Sequence, residues 1–166
     1  MLVECGNRFF SFFYYFSIKI SFKSDGSHEV FTYVRGFLNL MIRASLPGSI
    51  VNPDMSVVLK NENIAFINFS DSIVFYTQDD SEECLETILC VAGEFMSGVI
   101  NGPSRMIRGA IAHGEFFADP TANAYVGQAL VDAYRIESRQ EWLSCSLGPS
   151  LVSRAEFARV LAKHPN

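Results

Sequence analysis

The segment F-I-N-F-S-D-S-I-V-F-Y-T, residues 66–77, decides how the centre of the chain folds. Two apolar runs, Ile64–Phe69 and 73–77, flank the polar residues at 70–72. An unpaired carboxylate inside a buried strand is costly, whereas Ser and Asp favour turns because their side chains bond nearby backbone N-H groups. The pattern therefore predicts a hairpin with Asp71 at the rim of a sheet. Turn propensity alone explains Asp71, and a carboxylate that meets a metal or a phosphate is the functional alternative.

The composition is that of one globular domain covering residues 1–166. Hydrophobic residues make up 49% of the chain and charged residues 19%, which is ordinary globular usage. The formal net charge is −5 without a Lys/Arg cluster, so nucleic acid is disfavoured as a partner. The four cysteines show neither zinc-type spacing nor a disulfide framework, which indicates reduced thiols and a cytoplasmic location.

The apolar run F-F-S-F-F-Y-Y-F-S-I, residues 9–18, is the second strong signal. It is too short to cross a bilayer, which takes about 20 apolar residues. It also lacks the basic segment and the small-residue cleavage site of a signal peptide. We therefore predict a central strand of a sheet and regard membrane association as unfavoured.

Periodicity and capping signals predict the remaining elements. Apolar residues at helical spacing predict four helices. The first covers 30–42, and the second runs from a capping box at Asp80 to a stop signal at 101–103. The other two cover 128–142 and 153–163. Strands are predicted at 105–117, 124–126 and 143–147, and a loop is predicted around 52–54. This order favours an α+β fold with helices packed against one sheet.

Two further segments carry candidate chemistry. In R-G-A-I-A-H-G-E-F-F, residues 108–117, two glycines and His113 interrupt an apolar strand. A lone histidine is more often a hydrogen-bonded core residue than an acid-base catalyst, and both interpretations remain open for His113. In the helix predicted at 128–142, Arg135 follows Asp132 by three residues, which fits a surface ion pair. A guanidinium directed at a polyphosphate is the functional alternative.

In their order and spacing these motifs resemble the class III nucleotide cyclases, the adenylate and guanylate cyclase catalytic domain. The turn F-S-D-S at 69–72 stands where that family has a G-D-G-like turn. The segment R-G-A-I-A-H-G-E at 108–115 is similar to the family's R-I-G-I-H-T-G-E. The segment V-G-Q-A-L-V-D-A-Y-R-I-E at 126–137 is similar to its W-G-D-x-V-N-x-A-x-R-L-E. The resemblance implies a cyclase-like α+β fold with a ferredoxin-like core.

The resemblance also implies roles for individual residues. Asp71 would be a catalytic ligand of Mg²⁺ or Mn²⁺, and Arg135 would stabilise the pentavalent phosphate of the transition state. Ser70, Ser72 and Gln128 would contact the substrate. The implied reaction converts a nucleoside triphosphate into a 3′,5′-cyclic mononucleotide and pyrophosphate. The family places its metal carboxylates and its arginine on opposite subunits, so a homodimer with shared sites is expected.

Three positions depart from the family pattern. Ile18 stands where the first metal Asp is expected, Val131 where the transition-state Asn is expected, and Gln128 where the purine-reading Asp is expected. Altered base-reading residues favour a pyrimidine substrate, UTP or CTP, and the compact sequence resembles the bacterial Pycsar pyrimidine cyclases of antiviral defence. The missing Asp favours instead a catalytically degenerate module with a regulatory or dimerisation role. An unrelated α+β binding protein is the third alternative.

Overall fold

A computed structural model describes residues 8–19, 36, 39, 42–43, 46, 48–53, 56–69, 72–100 and 106–164 of the chain. Its strands are β1 (Arg8–Lys19), β2 (Ile50–Val51), β3 (Val57–Val58), β4 (Ile64–Phe69), β5 (Ser72–Thr77), β6 (Met106–Asp119), β7 (Ala124–Gly127) and β8 (Ser144–Leu147). Its helices are α1 (Glu82–Ile100), α2 (Gln128–Ser138), α3 (Pro149–Val152) and α4 (Ala155–Lys163). Residues 36, 39, 42 and 43 are also helical, and the remainder of the helix predicted at 30–42 lies outside the described residues.

Strand β1 is the centre of the main sheet, as the apolar run at 9–18 predicts. The sheet order is β4-β5-β1-β6-β7, and β8 pairs with β6 in parallel. β1 runs antiparallel to β5 on one side and to β6 on the other. None of the described helices has an apolar stretch that could span a bilayer.

Strands β4 and β5 form the antiparallel hairpin that the 66–77 segment predicts. Phe69 pairs with Ser72 at the end of the ladder. All residues of β5 are buried, which matches its apolar sequence and its place between two strands. Ser70 and Asp71, the residues that connect the two strands, lie outside the described residues.

Helices cover both faces of the sheet, and the strand alternation explains how. Ile111 of β6 joins a cluster with α1 and α4, whereas its neighbours Ala110 and Ala112 join a second cluster with α2. Four of the eight buried residues of the second cluster are alanines, and two of them, Ala129 and Ala133, belong to α2. Small side chains at this contact let α2 lie close to the sheet. The predicted α+β arrangement, a sheet with helices packed against it, is confirmed.

Helix α1 begins at Glu82, later than the predicted start at Asp80. The Ser81 hydroxyl accepts a hydrogen bond from the backbone N-H of Cys84 at 3.3 Å, so Ser81 caps the helix. Asp80 does not act as the cap because its carboxylate accepts from Arg154 Nη1 at 3.1 Å. The N-cap is therefore one residue later than expected, and no capping box forms with it, because the N3 residue is Cys84 and not Glu or Gln.

Helix α2 ends at Ser138, before the predicted end at residue 142. The side chain of Gln140 turns inward, where Nε2 donates to the Gly109 carbonyl at 2.8 Å and Oε1 accepts from the Ser144 hydroxyl at 3.1 Å. These hydrogen bonds hold Gln140 against the sheet, so the helix does not continue to residue 142. The helix predicted at 153–163 likewise starts later, at Ala155, and the short helix α3 precedes it.

The loop predicted around 52–54 contains a small hairpin that the sequence did not indicate. Ile50 pairs with Val58 and Val51 with Val57, which makes the two-stranded sheet β2-β3. Strands of this length are too short to show an alternating pattern, so periodicity has no means of detecting them.

Candidate functional site

The hairpin end of the sheet aligns three strands. Ser72, the first residue of β5, pairs with Ser17 of β1, and Ser17 pairs with Arg108 of β6. Ser72 is buried at this position. Ile18 follows Ser17 along β1 and pairs with Ile107. The register thus places Ile18, which stands at the expected position of the first metal Asp, at the hairpin end of the sheet.

Helix α2 starts where two backbone segments come close together. A Cβ added to Gly127 would lie 2.3 Å from the Glu115 carbonyl oxygen, so only glycine fits between β7 and α2. Gln128 is exposed on the first turn of the helix, and its Nε2 donates to Asp132 Oδ1 at 2.8 Å. The carboxylate expected to pair with Arg135 is therefore bonded to Gln128.

A buried ion pair anchors the C-terminal end of α2 to the sheet. Arg108 Nη2 lies 3.0 Å from Glu137 Oε1, and the two side chains are 20% and 4% exposed. Arg108 Nη1 also donates to the Gln140 carbonyl oxygen. Arg108 belongs to the same strand row as Ser72, so this pair connects the hairpin end of the sheet with the helix that carries Arg135.

An open cleft with a volume of about 620 Å³ lies between α2, β8 and α3. Arg135, Arg139 and Trp142 line it, and all three side chains are exposed. Within the described part of the chain, no carboxylate forms an ion pair with Arg135. A guanidinium in this setting presents its planar set of donors to any carboxylate or phosphate that enters the cleft.

His113 lies on the opposite face of the sheet from α2, in a cluster of charged groups. Its Nε2 is 2.8 Å from Arg154 Nη1 and 3.4 Å from Asp80 Oδ2. A guanidinium only donates, so Nε2 accepts the hydrogen bond from Arg154. Burial lowers the pKa of His113, and the charge of Arg154 lowers it further, while Asp80 raises it. His113 is thus a neutral, hydrogen-bonded residue of the fold, which favours the structural interpretation over the catalytic one.

Arg139 and Trp142 are the cleft residues that sequence reasoning missed. Arg139 follows Arg135 by four residues and so lies on the same side of α2, which was a usable signal. Trp142 is the single tryptophan of the chain and is 63% exposed. Its place in the cleft depends on the early end of α2 at Ser138, because the chain then returns toward β8.

Comparison with solved structures addresses the fold directly. The catalytic core of a rhodopsin-guanylyl cyclase with converted specificity, in complex with ATPalphaS, has a TM-score of 0.62 and 13% identity over 94% of this chain and 83% of that chain. An adenylate/guanylate cyclase/hydrolase from Silicibacter pomeroyi has a TM-score of 0.51 and 14% identity over 85% and 76%. A further guanylyl cyclase has a TM-score of 0.51 and 13% identity over 98% and 81%.

The chain has the fold of a nucleotide cyclase catalytic domain. No protein-family model matches its sequence, and neither does any curated protein sequence. The cyclase-like fold that the three motifs imply is therefore confirmed by structure. A fold does not fix a function, so the chemistry of this cyclase fold depends on its own residues.

The described residues of this cyclase fold do not by themselves form a metal site. Ile18 offers only backbone oxygen at a position where the family pattern has a carboxylate. In the ranges that the structure describes, no three His, Cys, Asp or Glu side chains cluster in a way that could hold a metal. Mg²⁺ commonly binds through one or two carboxylates together with substrate phosphates.

Proposed function

We propose that the protein is a nucleotide cyclase, which converts a nucleoside triphosphate into a 3′,5′-cyclic mononucleotide and pyrophosphate. The cyclase fold and the position of Arg135 support this proposal. Arg135 is exposed at an open cleft, and Asp132, the acid that would otherwise pair with it, is bonded to Gln128. An exposed arginine whose neighbouring acid is bonded to another side chain can donate hydrogen bonds to a phosphate ligand.

In the proposed reaction the ribose 3′ oxygen attacks the α-phosphorus. A bond forms between these two atoms, the bond from the α-phosphorus to the bridging oxygen breaks, and pyrophosphate leaves while the hydroxyl proton passes to solvent. Arg135 donates to the phosphate oxygens, on which negative charge increases in the transition state. Ser70, Ser72 and Gln128 contact the substrate. Asp71 would hold Mg²⁺ or Mn²⁺ with the triphosphate, and the ion supplies neutralisation of phosphate charge.

We further propose that the active form is a homodimer. Its two sites would each combine Asp71 of one copy with Arg135 of the other, as the resemblance implies. Exposed apolar side chains near the cleft support an interface there; they include Val131, Tyr134, Leu143 and Leu147.

The proposed substrate is a pyrimidine nucleotide, UTP or CTP, and the proposed setting is cytoplasmic antiviral signalling. Gln128 supports the base assignment, because an amide replaces the carboxylate that reads a purine in the family pattern. Cys84 and Cys90 are free thiols, which supports a reducing compartment.

A nucleotide panel tests the proposal. Purified protein with Mn²⁺ is incubated with ATP, GTP, CTP and UTP separately, and cyclic products are measured by mass spectrometry. One cyclic pyrimidine nucleotide is expected. Asp71→Ala should abolish the product, while Asp119→Ala, which changes the turn aspartate of the β6-β7 hairpin, should retain it. Arg135→Ala should lower kcat by about 10²–10³-fold, the usual cost of losing one transition-state donor.

A second candidate function is a catalytically degenerate cyclase module that pairs with another subunit. Ile18 and Val131 favour it, because neither apolar side chain can supply the oxygen expected at its position. Val131 is 40% exposed on α2, where an apolar side chain suits a protein contact better than a phosphate. The absence of product from all four nucleotides, with self-association that is independent of nucleotide and metal, would support this second function.

A further inference from the structure

The cleft beside α2 contains more than the one arginine that the proposed reaction uses. Arg135 lies in the last turn of α2, Arg139 is the C-cap residue that follows this helix, and both side chains line the cleft. Trp142 lines the same space from the segment between α2 and β8. The volume of about 620 Å³ is in the range of pockets that bind small molecules.

The two guanidiniums form a cationic site. Like charges four residues apart repel each other along a helix, so their adjacency has a small cost in the free protein. In the described ranges of the chain, neither guanidinium forms an ion pair with a carboxylate, and Asp132 of the same cleft accepts from Gln128. An anion with several oxygens would bond both groups at once and remove the repulsion.

Trp142 adds an aromatic surface to this cationic site. The indole is 63% exposed, an unusual position for a tryptophan side chain unless a ligand or a partner covers it. Ile136 and Pro149 extend the apolar part of the cleft. A flat aromatic ring beside two guanidiniums matches a ligand with an aromatic base at one end and phosphates at the other.

We propose that Arg139 and Trp142 bind the nucleoside triphosphate in this cleft, with Arg135 and Arg139 on the phosphate oxygens and the Trp142 indole stacked on the base. This inference rests on the proposed cyclase function and adds two binding residues to it. Stacking contacts the face of a base and leaves its edges unread. Trp142 therefore contributes affinity for any base. Gln128 lies at the opposite end of α2 and does not line the cleft, so it would not read the edge of a base stacked on Trp142.

Intrinsic fluorescence provides the test, because Trp142 is the single tryptophan of the chain. The full chain is titrated with UTP and with ATP, first without metal and then with Mg²⁺. Saturable quenching is expected with both nucleotides. Inorganic triphosphate should compete for the site, and uridine alone should bind much more weakly because it lacks the phosphates.

Substitutions test whether nucleotide binding depends on the residues of the cleft. Arg139→Ala should weaken nucleotide binding about tenfold or more, since it removes charge-assisted hydrogen bonds. Arg43→Ala, at an exposed arginine on a different segment, should leave binding unchanged. Trp142→Phe removes the reporter, so calorimetry is used for this variant and should show retained but weaker binding. In turnover assays Arg139→Ala should raise KM with kcat nearly unchanged, whereas Arg135→Ala lowers kcat.

Four results would overturn the inference. The first is the absence of saturable quenching by any triphosphate, and the second is equal binding by the Arg139→Ala and Arg43→Ala variants. The third is a Trp142 emission that shifts with protein concentration and not with nucleotide, which would show that a second copy covers the cleft. If quenching depends on Arg139 but no cyclic product forms, the binding inference stands and the proposed reaction fails. If the Arg139→Ala and Trp142→Phe variants both form product with the wild-type KM, the proposed reaction stands and the inference fails.

Discussion

Removing the buried partner of Arg108 should strongly destabilise the fold. Arg108 Nη2 and Glu137 Oε1 are 3.0 Å apart, with side chains 20% and 4% exposed. Breaking a buried ion pair by deleting one member costs about 3–5 kcal/mol, because the other charge stays in a poorly solvated place. In the Glu137→Ala variant, Arg108 keeps some contact with water and its hydrogen bond to the Gln140 carbonyl. The loss in free energy of unfolding should therefore lie at the low end of this range, about 3 kcal/mol.

The measurement is the free energy of unfolding from urea titration, supported by a thermal scan. With a urea slope of about 2 kcal/mol/M, a loss of this size lowers the midpoint by about 1.5 M. The melting temperature should fall by about 6–12 °C for a chain of this length. Glu141→Ala is the matched control, because Glu141 is an exposed glutamate of the same segment. A loss below about 0.5 kcal/mol, equal to that of a surface substitution, would refute the reasoning.

Four further predictions concern individual positions of the fold. Gly127→Ala should cost about 3 kcal/mol or more in urea unfolding, because the new Cβ would meet β6 backbone at 2.3 Å. Gly93→Ala should instead stabilise the protein by about 0.5–1 kcal/mol, since nothing lies within 4 Å of the added methyl group in α1, and a loss there would contradict the packing argument. Ser81→Ala should destabilise by about 1 kcal/mol in the same assay through loss of the α1 cap. Burial lowers the pKa of His113 in the folded protein, so the unfolded chain takes up a proton at this histidine at a higher pH than the folded chain does. The free energy of unfolding should therefore keep its full value above about pH 6.5 and decrease as the pH falls from there toward the folded-state pKa. His113→Gln should flatten this slope in unfolding curves measured between pH 5 and 7, whereas His164→Gln, at an exposed histidine, should preserve it.

The sheet was predictable because its signals are local. The run at 9–18 is long, apolar and aromatic, and it became the central strand β1. The polar residues at 70–72 separate two apolar runs, and these runs pair as the antiparallel strands β4 and β5. Element ends were less predictable, since they depend on distant partners. The end of α2 depends on Gln140, whose amide bonds Gly109 of another strand.

The candidate site was predictable in part. Arg135 stood out because its surrounding motif resembles the cyclases, and the structure places it at an open cleft. Asp71 and Ser70 lie outside the described residues, so their roles stay predictions. The ion pair suggested between Asp132 and Arg135 was wrong, because sequence spacing allows several partners on one helix face and the structure selects Gln128 for Asp132.

By itself, the sequence determined the order and type of the main strands and helices and, through short motifs, the cyclase fold. These features follow from residues close together in the chain, where apolar periodicity and turn propensity act. Only the tertiary structure decided which groups share a site. It brought Trp142 beside Arg135 and Arg139, bonded Glu137 to Arg108 of β6, and placed His113 next to Arg154 and away from the cleft. Such contacts join residues from separate elements, so they exist only once the helices have packed on the sheet.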